Sequence, residues 1–267
     1  MARRLLTLLN KADNNLPDNK KFLNDVMTGI ERYSMAHRRK GSNYYKPSGL
    51  NCMRSMYFVR IGAEQDSTPP EYNSLGMADT GTRRHEAIQE VLLSLKDMGY
   101  DWEYVDVAEY VAEKQKQGKC LSLKVLDKCG AETHLIDTVL NISFRCDGII
   151  KKLSTGEYFL FEFKNVTSFK YQTIEDSIME QHHNQVICYC TALDLDKVFV
   201  LYENRDVCSL ECPEVFIVTD EMKQTKCIDR ILECEGYVEK LKAPPKTDNI
   251  KNCRFCSYKS ICNKVGE

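Results

Sequence analysis

Residues 145–164 decide the architecture. They run Arg145-Cys146-Asp147-Gly148-Ile149-Ile150, turn at Ser154-Thr155-Gly156, and resume as Tyr158-Phe159-Leu160-Phe161-Glu162-Phe163-Lys164. Both halves are rich in β-branched or aromatic residues and read as neighbouring strands. Side chains at i and i+2 of a strand share a face, so Glu162 and Lys164 point one way and Phe161 and Phe163 the other. A charged pair in an otherwise apolar strand is costly to bury unless something pairs with it. Asp147, on the hairpin partner, can bring a second carboxylate to the same spot. Two carboxylates and an ammonium in a partly dry pocket suit phosphodiester hydrolysis. The carboxylates hold one or two divalent cations and the lysine handles the attacking water.

Working outward, strand-like segments are expected at 102–112, 120–127, 133–142, 144–151 and 157–164, separated by Gln-Gly, Cys-Gly and Thr-Gly turns. Before them, residues 65–80 look turn-rich, with Pro69-Pro70 and Gly76. A helix from Thr82 to Met98 follows, with Ile88, Val91, Leu92 and Leu95 as its buried stripe and Gly99 as its stop. Downstream come a helix from Ile174 to Leu193, carrying Ile178, Val186, Tyr189 and Leu193, and strands at Lys197–Tyr202 and 214–218. Thr219-Asp220-Glu221 starts a last long helix that Pro244-Pro245 ends. The first 45 residues read as two helices, one with Leu5, Leu6, Leu8 and Leu9, the other with Phe22, Val26, Ile30 and Tyr33. This order predicts an α/β fold in which helices flank a mixed central sheet.

The 267 residues are 43% apolar and 28% charged, an ordinary globular composition that argues against disordered or collagen-like classes. No apolar run approaches the ~20 residues of a membrane helix, so no membrane role is expected. The start, MARRLLTLLNKADNN, reads as an amphipathic helix and not a signal peptide. A net charge of −2 conceals an uneven distribution: residues 1–62 balance to +8, 240–264 to +6 and 63–239 to −15. Basic ends around an acidic centre suggest a polyanion partner for the ends and metal-binding carboxylates between them. Thirteen cysteines, an odd count, point to a reducing compartment with some thiols binding metal.

Two further motifs flank the carboxylates. Gly81-Thr82-Arg83-Arg84-His85 gives G-x-x-x-H at the expected helix start, and Gln185-Val186-Ile187-Cys188-Tyr189 gives Q-x-x-x-Y on one helical face. In this order around D…E-x-K, the motifs make the chain resemble the RecB-like branch of the PD-(D/E)XK nucleases. The resemblance implies a restriction-endonuclease-like core in which His85, Asp147, Glu162 and the main-chain carbonyl of Phe163 bind Mg²⁺ or Mn²⁺. It makes Lys164 catalytic and gives Gln185 and Tyr189 a supporting role at the site. Cys146 stands where the name-giving proline would be.

Near the C-terminus, Cys253-Arg254-Phe255-Cys256 followed by Cys262 offers three thiolates in a basic segment, and Cys52 is the best candidate for a fourth. Ligand type alone suits zinc or iron–sulfur equally. The arrangement resembles the iron–sulfur nucleases of the same family, the nuclease part of AddB and the CRISPR adaptation nucleases. That resemblance implies a four-iron, four-sulfur cluster on Cys52, Cys253, Cys256 and Cys262. Such a staple brings the basic ends together, with Arg54, Arg60, Lys251, Arg254 and Lys259 lining a DNA groove and Tyr57, Phe58, Phe255 and Tyr258 free to stack on unpaired bases. Cys188, Cys190, Cys208 and Cys212 are expected to be free thiols.

The expected organisation is a basic helical segment (1–80) contributing one cluster cysteine, a nuclease core (81–219) and a C-terminal helix with the cluster segment (220–267). The expected activity is that of a metal-dependent DNA exonuclease acting on single-stranded ends by two-metal-type phosphodiester hydrolysis, in the cytoplasm of a prokaryotic or phage-infected cell. Protein partners would belong to a recombination, replication or CRISPR adaptation complex. The alternative is a non-cutting DNA-binding or scaffolding subunit of such a complex, against which the intact His85, Asp147, Glu162 and Lys164 argue.

Overall fold

The computed structural model describes residues 17–37, 41–66, 72–129, 132–174, 176–247, 253 and 256–265. The expected helix bearing Leu5 to Leu9 lies outside the described residues. The chain divides into two compact units, Met1–Lys40 with Ser67–Thr80, and Gly41–Asp66 with Gly81–Glu267.

In the first unit, α1 (Asp18–Ala36) carries the expected Phe22, Val26, Ile30 and Tyr33 face, and all four are exposed. In the second unit, a 3₁₀ turn at Pro47–Gly49 leads to α2 (Met53–Arg60). Helix α3 (Tyr72–Ser94) starts ten residues before the expected Thr82, within the stretch expected to be turn-rich. Its Gly76 is helical, because a mid-helix glycine costs only ~1 kcal/mol and does not by itself stop a helix. His85 consequently sits well inside the helix. Gly99, at φ +85°, closes the turns that follow, and the Tyr100 amide donates back to the Leu95 carbonyl. Of the expected stripe, Ile88 and Leu92 pack on the sheet, whereas Val91 is exposed and polar Gln89 is buried instead.

The expected first strand is split. Residues Trp102–Val105 form β1, but Val107–Lys116 form a helix, α4. Asp106 causes the switch, since its carboxylate caps the helix by accepting from the Ala108 and Glu109 amides. Val107, Tyr110 and Val111 then fall on one buried helical stripe. Strands β2 (Leu123–Cys129), β3 (Glu132–Asp137) and β4 (Ile142–Cys146) form an antiparallel sheet of their own. Asp137 fixes its second hairpin, accepting from the Val139 and Leu140 amides at 2.9 Å each and from the Ser122 hydroxyl.

The central sheet is mixed, in the order β1-β5-β6-β7-β8 with β9 also on β7, among the described residues. It comprises β5 (Gly148–Lys152), β6 (Tyr158–Val166), β7 (Lys197–Asn204), β8 (Leu210–Glu211) and β9 (Phe216–Ile217). β5 and β6 pair antiparallel with Gly148 opposite Phe161, and β6 and β7 pair parallel with Lys164 opposite Tyr202. As the alternation requires, Phe161 and Phe163 join Ile150 beneath Ile88 and Leu92 of α3, while Leu160, Val198, Val200 and Tyr202 enter the larger core.

The β6–β7 crossover contains α5 (Ser168–Tyr171) and α6 (Glu180–Leu193). α6 starts later than the expected Ile174. Its leading segment is pinned by other bonds, from the Met179 amide to the Tyr202 hydroxyl and from the Glu214 amide to the Asp176 carbonyl, and Ile178 is buried ahead of the helix. Thr219 caps α7 (Asp220–Met222), which continues through a π-helical stretch (Lys223–Ile228) into α8 (Asp229–Glu239). That run ends before Pro244, where Leu241 takes φ +50° and the Lys242 amide returns to the Tyr237 carbonyl. A short α9 (Lys259–Lys264) follows. No described helix is long and apolar enough to cross a membrane.

Candidate functional site

Asp147 is the single residue between β4 and β5, where the chain leaves the small sheet for the central one. Its carbonyl is held by the buried Gln89 side chain (2.8 Å) and by the Tyr104 hydroxyl (3.1 Å). Its carboxylate faces two ways. One oxygen lies 3.2 Å from His85 Nδ1, and the other accepts the Phe163 amide at 2.7 Å. The His85 ring stands edge-on to Phe163, with centroids 4.9 Å apart.

Glu162 and Lys164 share a face of β6 as expected, and Lys164 Nζ donates to Glu162 Oε1 at 2.5 Å. Gln185, on α6, completes the arrangement. Its amide nitrogen donates to the same Glu162 oxygen (2.8 Å), and its carbonyl oxygen accepts from Lys164 (3.1 Å). The same nitrogen reaches the Tyr189 hydroxyl (2.9 Å), which donates to the Arg145 carbonyl (3.0 Å). The Q-x-x-x-Y face thus spans from the Glu162–Lys164 pair to the strand preceding Asp147. Glu162 is 2% exposed, and its other oxygen, Oε2, has no hydrogen-bond partner among the described residues. A buried carboxylate oxygen without a partner is costly and is suited to a cation.

Electrostatics agree with that reading. Burial, reinforced by the charge of Asp147, pushes the Glu162 carboxyl up to about 7 against the opposing pull of Lys164. Burial works against a charged His85, but the hydrogen bond and charge of Asp147, with Glu162 adding, hold its pKa above the ordinary value. Glu132 is raised as well, by burial and then by Asp147. A bound cation would favour the deprotonated forms of these groups.

Glu132 was missed by the sequence reading. Among the described residues, the group whose potential ligand atoms all lie within 4.8 Å of one another is His85, Glu132 and Asp147. The available signal was the β3–β4 hairpin: Thr133 pairs with Cys146, so the next residues outward are Glu132 and Asp147. Finding it required the turn position and register, which no local spacing supplies.

The four cysteines expected to act together, Cys52, Cys253, Cys256 and Cys262, line one cavity of about 470 Å³. Burial first, and the nearby Cys52, Cys262 and Cys253 sulfurs in addition, raise the Cys256 thiol, opposed by the Tyr258 amide that donates to its Sγ at 3.4 Å. Converging thiols with an amide aimed at one sulfur fit a bound metal group. Cys188 and Cys190 are buried free thiols, and Cys208 and Cys212 are exposed ones.

Of the residues expected to line a DNA groove, Arg54 and Arg60 are engaged within the protein. Arg54 is 1% exposed, and its guanidinium donates to the Pro244, Val265 and Cys262 carbonyls, tying the C-terminal segment to α2. Arg60 is paired with Glu235 at 2.7 Å. Tyr57, Phe58 and Tyr258 are core residues, and Phe58 and Tyr258 also line the cysteine cavity, so their apolar area does not face solvent. Lys259 is exposed on the cavity rim. Lys251, Arg254 and Phe255 lie outside the described residues.

No protein-family profile and no curated protein matches the chain. Some solved structures are similar to it. That of SSO0001 has 14% identity, covering 92% of this chain and 98% of its own, with a TM-score of 0.45. LHK-Exo, an alkaline exonuclease from Laribacter hongkongensis, has 13% identity over 75% of this chain and 92% of its own, with a TM-score of 0.41. The same protein in complex with dAMP has 14% identity, coverages of 79% and 95%, and a TM-score of 0.42. At these identities and scores the likeness is a loose one.

Proposed function

We propose that the chain is a divalent-metal-dependent DNA nuclease, an exonuclease acting on single-stranded ends, with a structural four-iron, four-sulfur cluster. The observation that carries this reading is the buried, unpartnered Glu162 oxygen beside Asp147, with Lys164 and Gln185 fixed on the same carboxylate. Asp147, Glu162, the Phe163 carbonyl and His85 would between them hold one or two Mg²⁺ or Mn²⁺ ions. Such a cation acidifies water and offsets charge developing on the phosphate. Lys164, held by Glu162 and Gln185, is positioned to orient the attacking water or take its proton. Gln185 and Tyr189 keep the lysine and the Arg145–Asp147 backbone in register with each other.

Cys52, Cys253, Cys256 and Cys262 would hold the cluster. Around one tetrahedral zinc with bonds of ~2.3 Å, the sulfurs would lie ~3.8 Å apart. The four thiols line one cavity of about 470 Å³, which leaves room for an inorganic cluster. The cluster's role would be to fasten the segment of Cys52 to that of Cys253–Cys262, without taking part in cleavage.

The test is incubation of the full chain with end-labelled single- and double-stranded DNA, with and without Mn²⁺ or Mg²⁺. Metal-dependent release of short products from single-stranded ends is expected. Asp147→Ala, Glu162→Ala and Lys164→Ala should each abolish cutting while leaving DNA retention intact. A Lys164→Ala protein that cuts at the wild-type rate means that the active site lies elsewhere.

A further inference from the structure

We propose, resting on the nuclease reading above, that Glu132 is a metal-binding carboxylate. With His85 and Asp147 it forms a second divalent-cation position, distinct from the one served by Glu162 and sharing Asp147 with it. Three independent features of the structure converge on this.

The first is proximity. One imidazole nitrogen and one oxygen from each of Glu132 and Asp147 lie within 4.8 Å of one another, whereas Glu162 is not in that group. The second is the way the elements meet. Glu162 lies on the face of β6 that carries Lys164, while His85 approaches from α3 on the opposite face, edge-on to Phe163. The Asp147 carboxylate stands between, with one oxygen toward His85 and the other on the Phe163 amide. A carboxylate so placed can bridge two cations, and paired sites in phosphodiester-cleaving enzymes lie ~3.5–4 Å apart.

The third is that both positions are built. Asp137 locks the β3–β4 turn, and the register that follows delivers Glu132 opposite Asp147. The neighbouring cation, Arg145, is bonded to Asp127 at 2.6 Å and not to Glu132. On the far side, the buried Glu162 Oε2 has no partner among the described residues, although Oε1 is doubly bonded. A nitrogen with two carboxylates suits Mn²⁺ better than Mg²⁺, which prefers oxygen and water.

The test is the number of Mn²⁺ ions bound per full-length chain, measured by equilibrium dialysis. The wild type should bind two and Glu132→Gln one. Glu132→Asp, which keeps a carboxylate, should retain two, the second weakened about tenfold. Glu162→Gln should also bind one, and Asp147→Ala neither. Should Glu132→Gln fail to melt cooperatively, His85→Asn carries the test, since it removes another ligand of the same position and should also leave one ion. A wild type that binds one ion, or two ions retained in Glu132→Gln, overturns the second position. Loss of Mn²⁺ in Glu162→Gln and Asp147→Ala but not in Glu132→Gln rejects this inference alone. Retention in all three variants rejects the nuclease metal centre itself.

Discussion

At Gly148 the chain has no room for a side chain. A Cβ there would lie 2.3 Å from Cε2 of Tyr104, the tyrosine whose hydroxyl holds the Asp147 carbonyl. The glycine lets β5 run directly beneath that ring and so fixes where the Asp147 carboxylate points. Gly148→Ala is expected to push Tyr104 aside, lowering stability by ~1–3 kcal/mol through overpacking. It should also cut nuclease activity by about 10²-fold, as a misplaced reacting group does. Urea melts and single-turnover cleavage check both, and an alanine variant with wild-type rate and stability would mean that Tyr104 adapts at no cost.

Elements impose their own constraints, most clearly where α6 meets β7. His182 Nδ1 bonds the Tyr202 hydroxyl at 2.9 Å, and Nε2 faces the Gln181 amide at 3.0 Å, an arrangement that suits a neutral ring. Burial first, then the charges of Lys164 and Lys170 and the neighbouring His183, bring its pKa down to about 3. With a folded value below the unfolded one, His182 contributes stability that is present above pH ~6.5 and is lost as pH falls toward 3. Between pH 7 and 5 that loss amounts to at most about 2 kcal/mol. Glu162, raised to about 7, has the opposite sign: its contribution is present at low pH and lost as pH rises through 7. His182→Gln should remove the first effect and leave the second. In metal-free urea melts the variant should therefore lose less stability than wild type between pH 7 and 5, and parallel curves would show that His182 does not titrate in this window.

The second unit as a whole is fastened between residues far apart in sequence. A metal link from Cys52 to Cys253 would close a loop of roughly 200 residues, and closing so long a loop constrains the unfolded chain strongly. Arg54 adds to the closure through the Pro244, Val265 and Cys262 carbonyls, and Glu235 adds more by accepting from Tyr45, Arg60 and Asn141. Because ligand-binding energy in such a site is also folding energy, Cys52→Ser should give a colourless protein without iron or acid-labile sulfide. It should melt earlier than wild type and be cleaved faster by protease at both joined segments, whereas Cys208→Ser should match wild type in every respect. A Cys52→Ser protein that keeps its metal would remove Cys52 from the site, and one zinc per wild-type chain would replace the cluster but keep the fastening.

By itself, the sequence determined what depends on period and spacing within one element. The alternation in Tyr158–Lys164 put Glu162 and Lys164 on one face and the two phenylalanines on the other, and the four-residue step from Gln185 to Tyr189 gave one helical face. The turn glycine at 99 was legible for the same reason: its signal is local. Tertiary structure decided what depends on partners far along the chain. The β3–β4 register brought Glu132 to Asp147, and non-local carbonyls withdrew Arg54 from solvent. Residue types and local periods report faces, but which groups meet across faces is set by register and packing. Those contacts form only once the sheets close on one another.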